Sequence, residues 1–487
     1  MRSITWLTAG VLAAAACTTG CGNKYRPVIN PVAPTGPAQV STSYALVLSQ
    51  PELAGASSST DPCPGHAYAS PGVATIIDFS GDSVLAQSAI GNGPLTSAID
   101  ASGNVAYALN CDGTITTIPI GANLQNNQLA TTTLFPADNS SGRASIQSNI
   151  LVRSGSPYVV NQVRGTVGAL TTASTGNIAL FQEINVAPAL VTLTGSAGLV
   201  GTSATSSAQR VYAISQGTTG SGAKWGDCNQ PSAVTVAGEA DGIETTTNSV
   251  SSRLPLGVCP VYGVTSLDGL RTFVMNRGSG TVSVINTQTN TLDTALNASG
   301  TIQLPAGNGG SAGPVYAAFF PQSQMVVTAN YDANTVSFIN APVDVYGNDA
   351  PGFGQVLATV AVGSHPSALT LLGDGSRVYV ANQGDGTISV ISMTSFTVQK
   401  TIAVGNHPRT ISSTYNNPAG RVYVTAPDSN VLTVIRTDTD VVSALITLQG
   451  FGVDVHATTQ YSGASGITTN TPANTIVTSD APGSGAP

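Results

Sequence analysis

An all-β fold assembled from one repeated four-stranded antiparallel unit is predicted by three features of the 487-residue chain. The first is a hairpin signal at 376–391, Ser-Arg-Val-Tyr-Val-Ala-Asn-Gln-Gly-Asp-Gly-Thr-Ile-Ser-Val-Ile, where two runs of β-branched and aromatic residues flank a Gly-Asp-Gly turn. The second is its recurrence as Phe-Val-Met-Asn-Arg-Gly-Ser-Gly-Thr-Val-Ser-Val-Ile from Phe273 to Ile285, and as Val-Tyr-Val-Thr-Ala-Pro-Asp-Ser-Asn-Val-Leu-Thr-Val-Ile from Val422 to Ile435. The third is composition. Charged residues make up only 8% of the chain and 53 Gly, with Ser, Thr, Asn and Gln, take their place. Val, Ile, Leu and Ala alternate with these small polar residues, so a large core can be buried and the chain is not a disordered Ser/Thr/Gly tract.

Taken in order, the chain opens with Arg2 and an apolar run from Ile4 to Ala16, too short to span a bilayer comfortably and typical of an export signal. Small residues directly precede Cys17 and Cys21, as in a bacterial lipobox, where the Cys is diacylated and becomes the new N-terminus. Cys21 is the favoured acylation site because Gly-Cys-Gly-Asn leads at once into a linker. Cys17 is the alternative, and plain secretion after cleavage at Ala16 is the rival reading. Pro27, Pro31, Pro34 and Pro37 forbid a helix and favour an extended tether. The expected plan is a signal over 1–20, a Pro-rich tether over 21–43, a repeat body over 44–461, and a flexible Ser/Thr/Gly/Pro-rich tail over 462–487.

Within the body, the first copy is degenerate: Tyr44 to Leu48, a long loop, Ala74 to Phe79 and Ser83 to Ala86. The second pairs Val105–Asn110 with Thr114–Ile118, and the third Tyr158–Asn161 with the run from Asn177 to Phe181. The fourth has Arg210 to Ile214, an insert, and Ala233 to Val236. The fifth is the hairpin from Phe273 to Ile285, the sixth joins Met325–Asn330 to the run from Thr335 to Ile339, and the seventh and eighth surround Tyr379 and Tyr423. Further apolar stretches precede and follow the better hairpins, for example Ser367 to Leu372 and Val398 to Val404. Four strands per repeat, spaced about 42 to 55 residues apart, are the signature of β-propeller blades. Eight blades are expected, or seven if one middle copy is an insertion. The first copy lacks an inner strand, which the segment from Val453 to Tyr461 would supply, so that N- and C-terminal strands close the ring.

The Val-Tyr-Val-Ala-Asn, Asp-Gly-Thr-Ile-Ser-Val-Ile and Ala-Val-Gly-Ser-His-Pro-Ser-Ala-Leu elements resemble the YVTN-type β-propeller repeats of YncE-like and surface-layer bacterial proteins. The Cys-Gly-Asn-Lys-Tyr-Arg-Pro-Val-Ile-Asn-Pro segment is similar to lipoprotein propellers of that kind. The match is strong from Gly313 to Leu448 and fades toward Ser43. Membership implies a repeat fold and an exported location, at the bacterial outer membrane or cell surface, with a periplasmic or secreted form as the alternative; it implies no single activity.

Candidate chemistry is sparse. Cys63, Cys111, Cys228 and Cys259 are an even set in an exported chain, for which disulfides are the default, and pairings of Cys63 with Cys111 and Cys228 with Cys259 are expected. No Cys-x-x-Cys spacing exists among them and only four His are present, which argues against a metal centre. His365 and His407 recur in Gly-Ser-His-Pro and Gly-Asn-His-Pro, just before inner strands. Either they face each other at a channel mouth, to bind a metal or polarise a ligand, or each is held extended before Pro at a turn. Asp112, Asp332, Asp385 and Asp428 recur in hairpin turns, where Asp hydrogen-bonds its own backbone. Asn110, Asn276, Asn330 and Asn382 end their strands in one register, as turn caps. Gly309 to Gly313 matches Gly-x-Ser-x-Gly in letters alone, because it runs into Pro314 and a strand rather than a helix.

A formal charge of -8 and scattered Lys and Arg weigh against nucleic acid. The leading expectation is a non-catalytic, lipid-anchored monomer that presents its channel mouth or loops to an envelope protein, glycan or small ligand, with no cofactor and with the membrane touched only through the lipid anchor. The alternative is a propeller enzyme of the lactonase or hydrolase kind, or a quinoprotein or haem-type propeller. Trp225 is the one Trp outside the signal, which leaves little to stack a cofactor.

Overall fold

The structure is a computed structural model that describes residues 44–51, 70–99, 105–120, 129–133, 135, 147–151, 157–161, 164–172, 178–195, 210–216, 228, 234, 236–266, 268–307, 310–320, 323–405, 407–414 and 420–458. The expected signal, tether and tail, with Cys17, Cys21 and Cys63, lie outside the described residues. The described strands form eight antiparallel sheets, seven of four strands and one of five, and the innermost strands of successive sheets neighbour one another around a closed ring. The protein is an eight-bladed β-propeller.

Strands are named by blade and by distance from the axis, strand 1 being innermost. Blade 1 takes its strand 1 from Phe451–Ala457 and its other strands from Tyr44–Gln50, Pro71–Asp78 and Ser83–Asn92. Blades 2 to 8 follow in sequence over 94–133, 147–185, 190–258, 260–303, 314–361, 366–403 and 410–447. Alternating strand directions put the starts of every strand 1 and all strand 2 to strand 3 turns on one end of the ring, the upper face. The turns between strands 1 and 2, and between strands 3 and 4, lie on the lower face.

Burial follows radial position. Strands 2 and 3 of blade 7, Arg377–Asn382 and Thr387–Ser392, are buried almost throughout, because neighbouring blades cover both faces. Outer strands such as Val356–Ala361 and Val441–Thr447 alternate exposed and half-buried residues. Two expected strands move. In blade 3 the partner of Tyr158–Asn161 is Thr166–Thr172, and Ile178–Asn185 is the outer strand. In blade 4 the strand expected over 233–236 is replaced by Ala237–Glu244. That Gly- and acid-rich segment has weak strand propensity, yet it pairs on both sides, with Arg210–Ser215 and Ser249–Val258, so tertiary pairing outweighs local preference.

The Arg-Val-Tyr signature acts between blades. Arg377 Nη1 bonds both carboxylate oxygens of Asp440 in the strand 3 to strand 4 turn of blade 8, at 2.6 and 2.5 Å, and Nη2 bonds Thr437 O. Tyr379 Oη donates to the same Asp440. Equivalent contacts join Tyr158 to Asn248, Tyr212 to Asn290, Arg210 to Thr287 O, and Arg421 to Asp82 across the closure from blade 8 to blade 1. The Asn248, Asn290, Asp82 and Asp440 acceptors all adopt positive φ, between 47° and 58°, a geometry Asn and Asp tolerate better than other side chains. At the junction of blades 6 and 7 the staple is apolar, with Phe338 against Phe396 at 4.8 Å between ring centroids.

Ring closure is a hydrogen-bonded lock. Asp454 (2% exposed) on the innermost strand of blade 1 accepts from Ser97 N, Ser97 Oγ and Thr96 Oγ1 of blade 2 at 2.7, 3.0 and 3.2 Å, and lies 3.1 Å from His456 Nε2. On the other side Ala457 N donates to Ser412 Oγ of blade 8. Tyr44 N donates to Thr458 Oγ1 and Thr458 N to Tyr44 O, so both ends of the described ring meet on the lower face.

Candidate functional site

The upper face is built from the turns that open each blade. A Gly-x-x-Pro motif recurs there at Gly91 to Pro94, Gly257 to Pro260 and Gly363 to Pro366. A Cβ at Gly91, Gly257 or Gly363 would approach within 2.8 Å of the side-chain amide of Asn110, Asn276 or Asn382, respectively. Each Asn is buried at the end of a strand 2 and donates to two hydroxyls of strand 3, such as Thr387 and Ser389 for Asn382. The expected caps therefore support the sheet beneath the turn, and only a bare Cα fits above them.

The turn aspartates clamp the opening segments. Asp112 accepts from Asn92 N, Asp385 from Ser364 N and Asp428 from His407 N, at 2.7, 2.9 and 3.2 Å. Asp112 Oδ1 also accepts from Thr114 N inside its own turn. Asp332 differs: it forms a bidentate pair with Arg277 of the preceding blade, at 2.9 and 3.1 Å.

Over blades 5 to 7 these elements hold a row of planar side chains. Arg277 lies over the Tyr331 ring, 4.9 Å from its centroid, and His365 stacks on the same ring at 4.6 Å with 29° between planes. Arg277 Nη1 also reaches Cys228 O, in the insert of blade 4, and His365 N donates to Asn334 Oδ1. His365 is exposed and has φ of 52°, so the extended geometry expected before Pro366 gives way to a left-handed one. His365 is the exposed member of the row; Arg277, its side chain 11% exposed, and Tyr331 are half-buried beside it.

His407 Nδ1 is 2.6 Å from Asp428 Oδ2, and the imidazole is 61% exposed. His365 is thus engaged by Tyr331 and His407 by Asp428; the pair expected across adjacent blades is split between two different neighbours. Among the described residues no group of three or more His, Cys, Asp or Glu side chains is placed to hold a metal ion. Cys228 and Cys259 form the expected disulfide, tying the insert of blade 4 to the opening turn of blade 5. Cys111 is disulfide-bonded as well, and Cys63 lies outside the described residues. Such bonds mark an oxidising compartment. No helix among the described residues is long and apolar enough to cross a membrane.

Nearer the axis, Tyr262 and Tyr316 stack at 4.6 Å on the innermost strands of blades 5 and 6. Burial pushes both phenols well above the usual tyrosine range, and Tyr262, followed by Asp454 on blade 1, raises Tyr316 further. Burial alone would raise the Asp454 carboxyl; His456 and the Ser97 donors outweigh it and leave the carboxyl below its ordinary value. Of these groups the sequence singles out His365, but not Arg277 or Tyr331 beside it, nor the axial Tyr262, Tyr316, Asp454 and His456. The repeated Pro-Val-Tyr at Pro260 and Pro314, and the period-2 Asp-Val-His at Asp454, are the signals that carried them.

No family model and no curated protein matches the chain. Solved structures do. Apo AztD from Citrobacter koseri is 14% identical with a TM-score of 0.54, covering 85% of this chain and 98% of its own. A putative 6-phosphogluconolactonase from Bacteroides fragilis is 12% identical with a TM-score of 0.52, covering 87% and 100%. The dihydro-heme d1 dehydrogenase NirN is 12% identical with a TM-score of 0.56, covering 87% and 77%. At these identities the likeness is one of fold.

Proposed function

We propose that the protein is an exported, lipid-anchored propeller of the YVTN repeat type that acts as a binding scaffold at the cell envelope, taking a protein, glycan or small ligand on its upper face over blades 5 to 8. The observation that carries this reading is the Arg277–Tyr331–His365 row. Its guanidinium is held in place by Asp332, and flat cationic and aromatic faces suit a sugar ring or a planar anionic group. The buried Asp454–His456 pair is filled by protein donors, which supports a role in closure rather than in turnover.

The test is a binding assay of the ectodomain from Lys24 onward against purified envelope glycans and proteins. Substitution His365→Ala, at an exposed position, is expected to weaken binding without lowering stability. Unchanged binding in that variant and in Tyr331→Ala would overturn the assignment of the face. The enzyme reading is favoured by one feature, the oriented and exposed His407 beside Asp428, which is the arrangement of a general base. Lactone or ester hydrolysis by the ectodomain, abolished in His407→Ala, would establish that alternative. Metal analysis and an absorption spectrum of the native protein test the quinoprotein and haem alternatives.

A further inference from the structure

We propose that the lower face docks on a lipid bilayer, with the loop tip at Val345 and Tyr346 inserted among neutral headgroups; the inference rests on the lipid-anchor reading above. Nine large hydrophobic side chains are exposed among the described residues. Six of them, Val84, Leu85, Val345, Tyr346, Leu357 and Val441, lie in a lower-face loop or at the lower ends of outer strands. Such a bias toward one end is not expected of scattered surface residues.

The tip is built to project. Val345 is 93% and Tyr346 79% exposed, in the strand 3 to strand 4 loop of blade 6. Asp344 Oδ1 accepts from Tyr346 N and Asn348 N, each at 2.8 Å, and Oδ2 from Asn348 Nδ2. Gly347 takes φ of 83° to complete the turn. Beneath it the Arg271 side chain, only 3% exposed, donates to Gly347 O and pairs with Asp349 and Asp293 at 2.7 and 2.6 Å. The loop cannot easily fold back to cover its own apolar pair.

Connectivity and charge identify the occupant. The chain enters the propeller at Tyr44, on this same face, so a tether acylated at Cys21 joins the ring on the side that carries the tip. Tethering raises the local concentration of the lipid surface, so a weak insertion suffices. Tyr favours the boundary between headgroups and acyl chains. The exposed hydrophobics are spread over blades 6, 8 and 1, which suits a broad fluid surface better than the compact patch of a protein interface. Asp82, Asp440 and Asp349 on this face are each paired with an arginine. Asp268 and Asp344 add negative charge to the face, so neutral headgroups are preferred over anionic ones.

The experiment places a fluorescent reporter at the tip, Tyr346→Trp in a Trp225→Phe background, in the full acylated chain reconstituted into phosphatidylcholine–phosphatidylethanolamine vesicles. Blue-shifted emission, quenched by a spin label near the headgroup, is expected, with neither effect for Val236→Trp on the upper face. Emission from the tip reporter unchanged by vesicles, in protein whose mass shows an acylated Cys21, overturns the proposal and leaves the anchor reading intact. If the mass shows no acyl chain, the anchor reading fails. The ectodomain from Lys24 then decides the face alone: vesicle partitioning that drops roughly tenfold in Val345→Ser/Tyr346→Ser sustains it, and no partitioning overturns it. Self-association that depends on the tip, or stronger binding to anionic than to neutral vesicles, also counts against it.

Discussion

Replacing Asp440 tests whether the Arg-Val-Tyr signature holds blades together. Asp440 and Arg377 are 16% and 19% exposed, so the ion pair is largely withdrawn from water, and Tyr379 Oη shares the same carboxylate. In Asp440→Ala the guanidinium loses its counter-charge and keeps only Thr437 O, and the phenol loses its acceptor. Removing one member of a buried pair costs about 3–5 kcal/mol. Tyr379→Phe removes one hydrogen bond to a charged acceptor while Arg377 still satisfies that carboxylate, so about 1.5 kcal/mol is expected. In the double variant the Tyr379→Phe effect should vanish, because its acceptor has already gone. The assay is equilibrium urea denaturation of the ectodomain from Lys24, followed by circular dichroism. A loss below about 0.5 kcal/mol for Asp440→Ala, the range of ordinary surface changes, or full additivity in the double variant, would refute the reasoning.

The remaining predictions concern pH and closure. Burial, the largest cause in every case, raises the phenols of Tyr212, Tyr262, Tyr316, Tyr379 and Tyr423. Unfolded tyrosines ionise near pH 10 while the folded ones keep their protons, so stability holds below about pH 10 and falls as pH rises beyond it; the urea midpoint at about pH 8 and about pH 11 checks this. Asp241 is raised to about 6, by burial above all and also by Glu239, so its contribution is present below the unfolded carboxylate value and is lost as pH climbs toward 6. Asp241→Asn should therefore stabilise the protein relative to wild type at about pH 8 and not at about pH 4; equal effects at both would contradict it. Asp454→Ala should cost about 3–5 kcal/mol and expose 451–458 to protease, while wild-type protein loses the Asp454 contribution only in acid below the unfolded carboxylate value, since this carboxyl is depressed. Cys228→Ser/Cys259→Ser releases a bond with a sequence separation of 31, and a drop of about 3–4 kcal/mol in denaturation is expected from loop entropy.

Period-2 alternation between turn residues made the hairpins of blades 5 to 8 legible, because their strands pair with sequence neighbours. Closure was legible as well, since a first copy without an inner strand needs one from elsewhere. Blade 4 was misplaced because Ala237–Glu244 is a strand by virtue of its partners, not its own residues. The planar row stayed hidden for a different reason: Arg277, Tyr331 and His365 belong to three blades, and no local pattern reports a contact between turns of successive repeats. His365 shows the limit of a local rule, since the residue before Pro366 takes the left-handed geometry that Gly93, Cys259 and Gly313 also take before Pro94, Pro260 and Pro314, a property of the blade-opening turn rather than of the Pro alone.

Closure by Phe451–Ala457 sets an order of events on the ribosome. Tyr44–Gln50 is made about 400 residues before its partner Phe451–Ala457, and until then one edge stays bare, with Leu46, Val47 and Leu48 awaiting partners. The blade begun first is thus the last to be finished, and any product that stops before Phe451 leaves that apolar edge open to other chains. A chaperone that binds extended apolar segments would find its target at 44–50, and a single late frameshift would be as damaging as a lesion in the core.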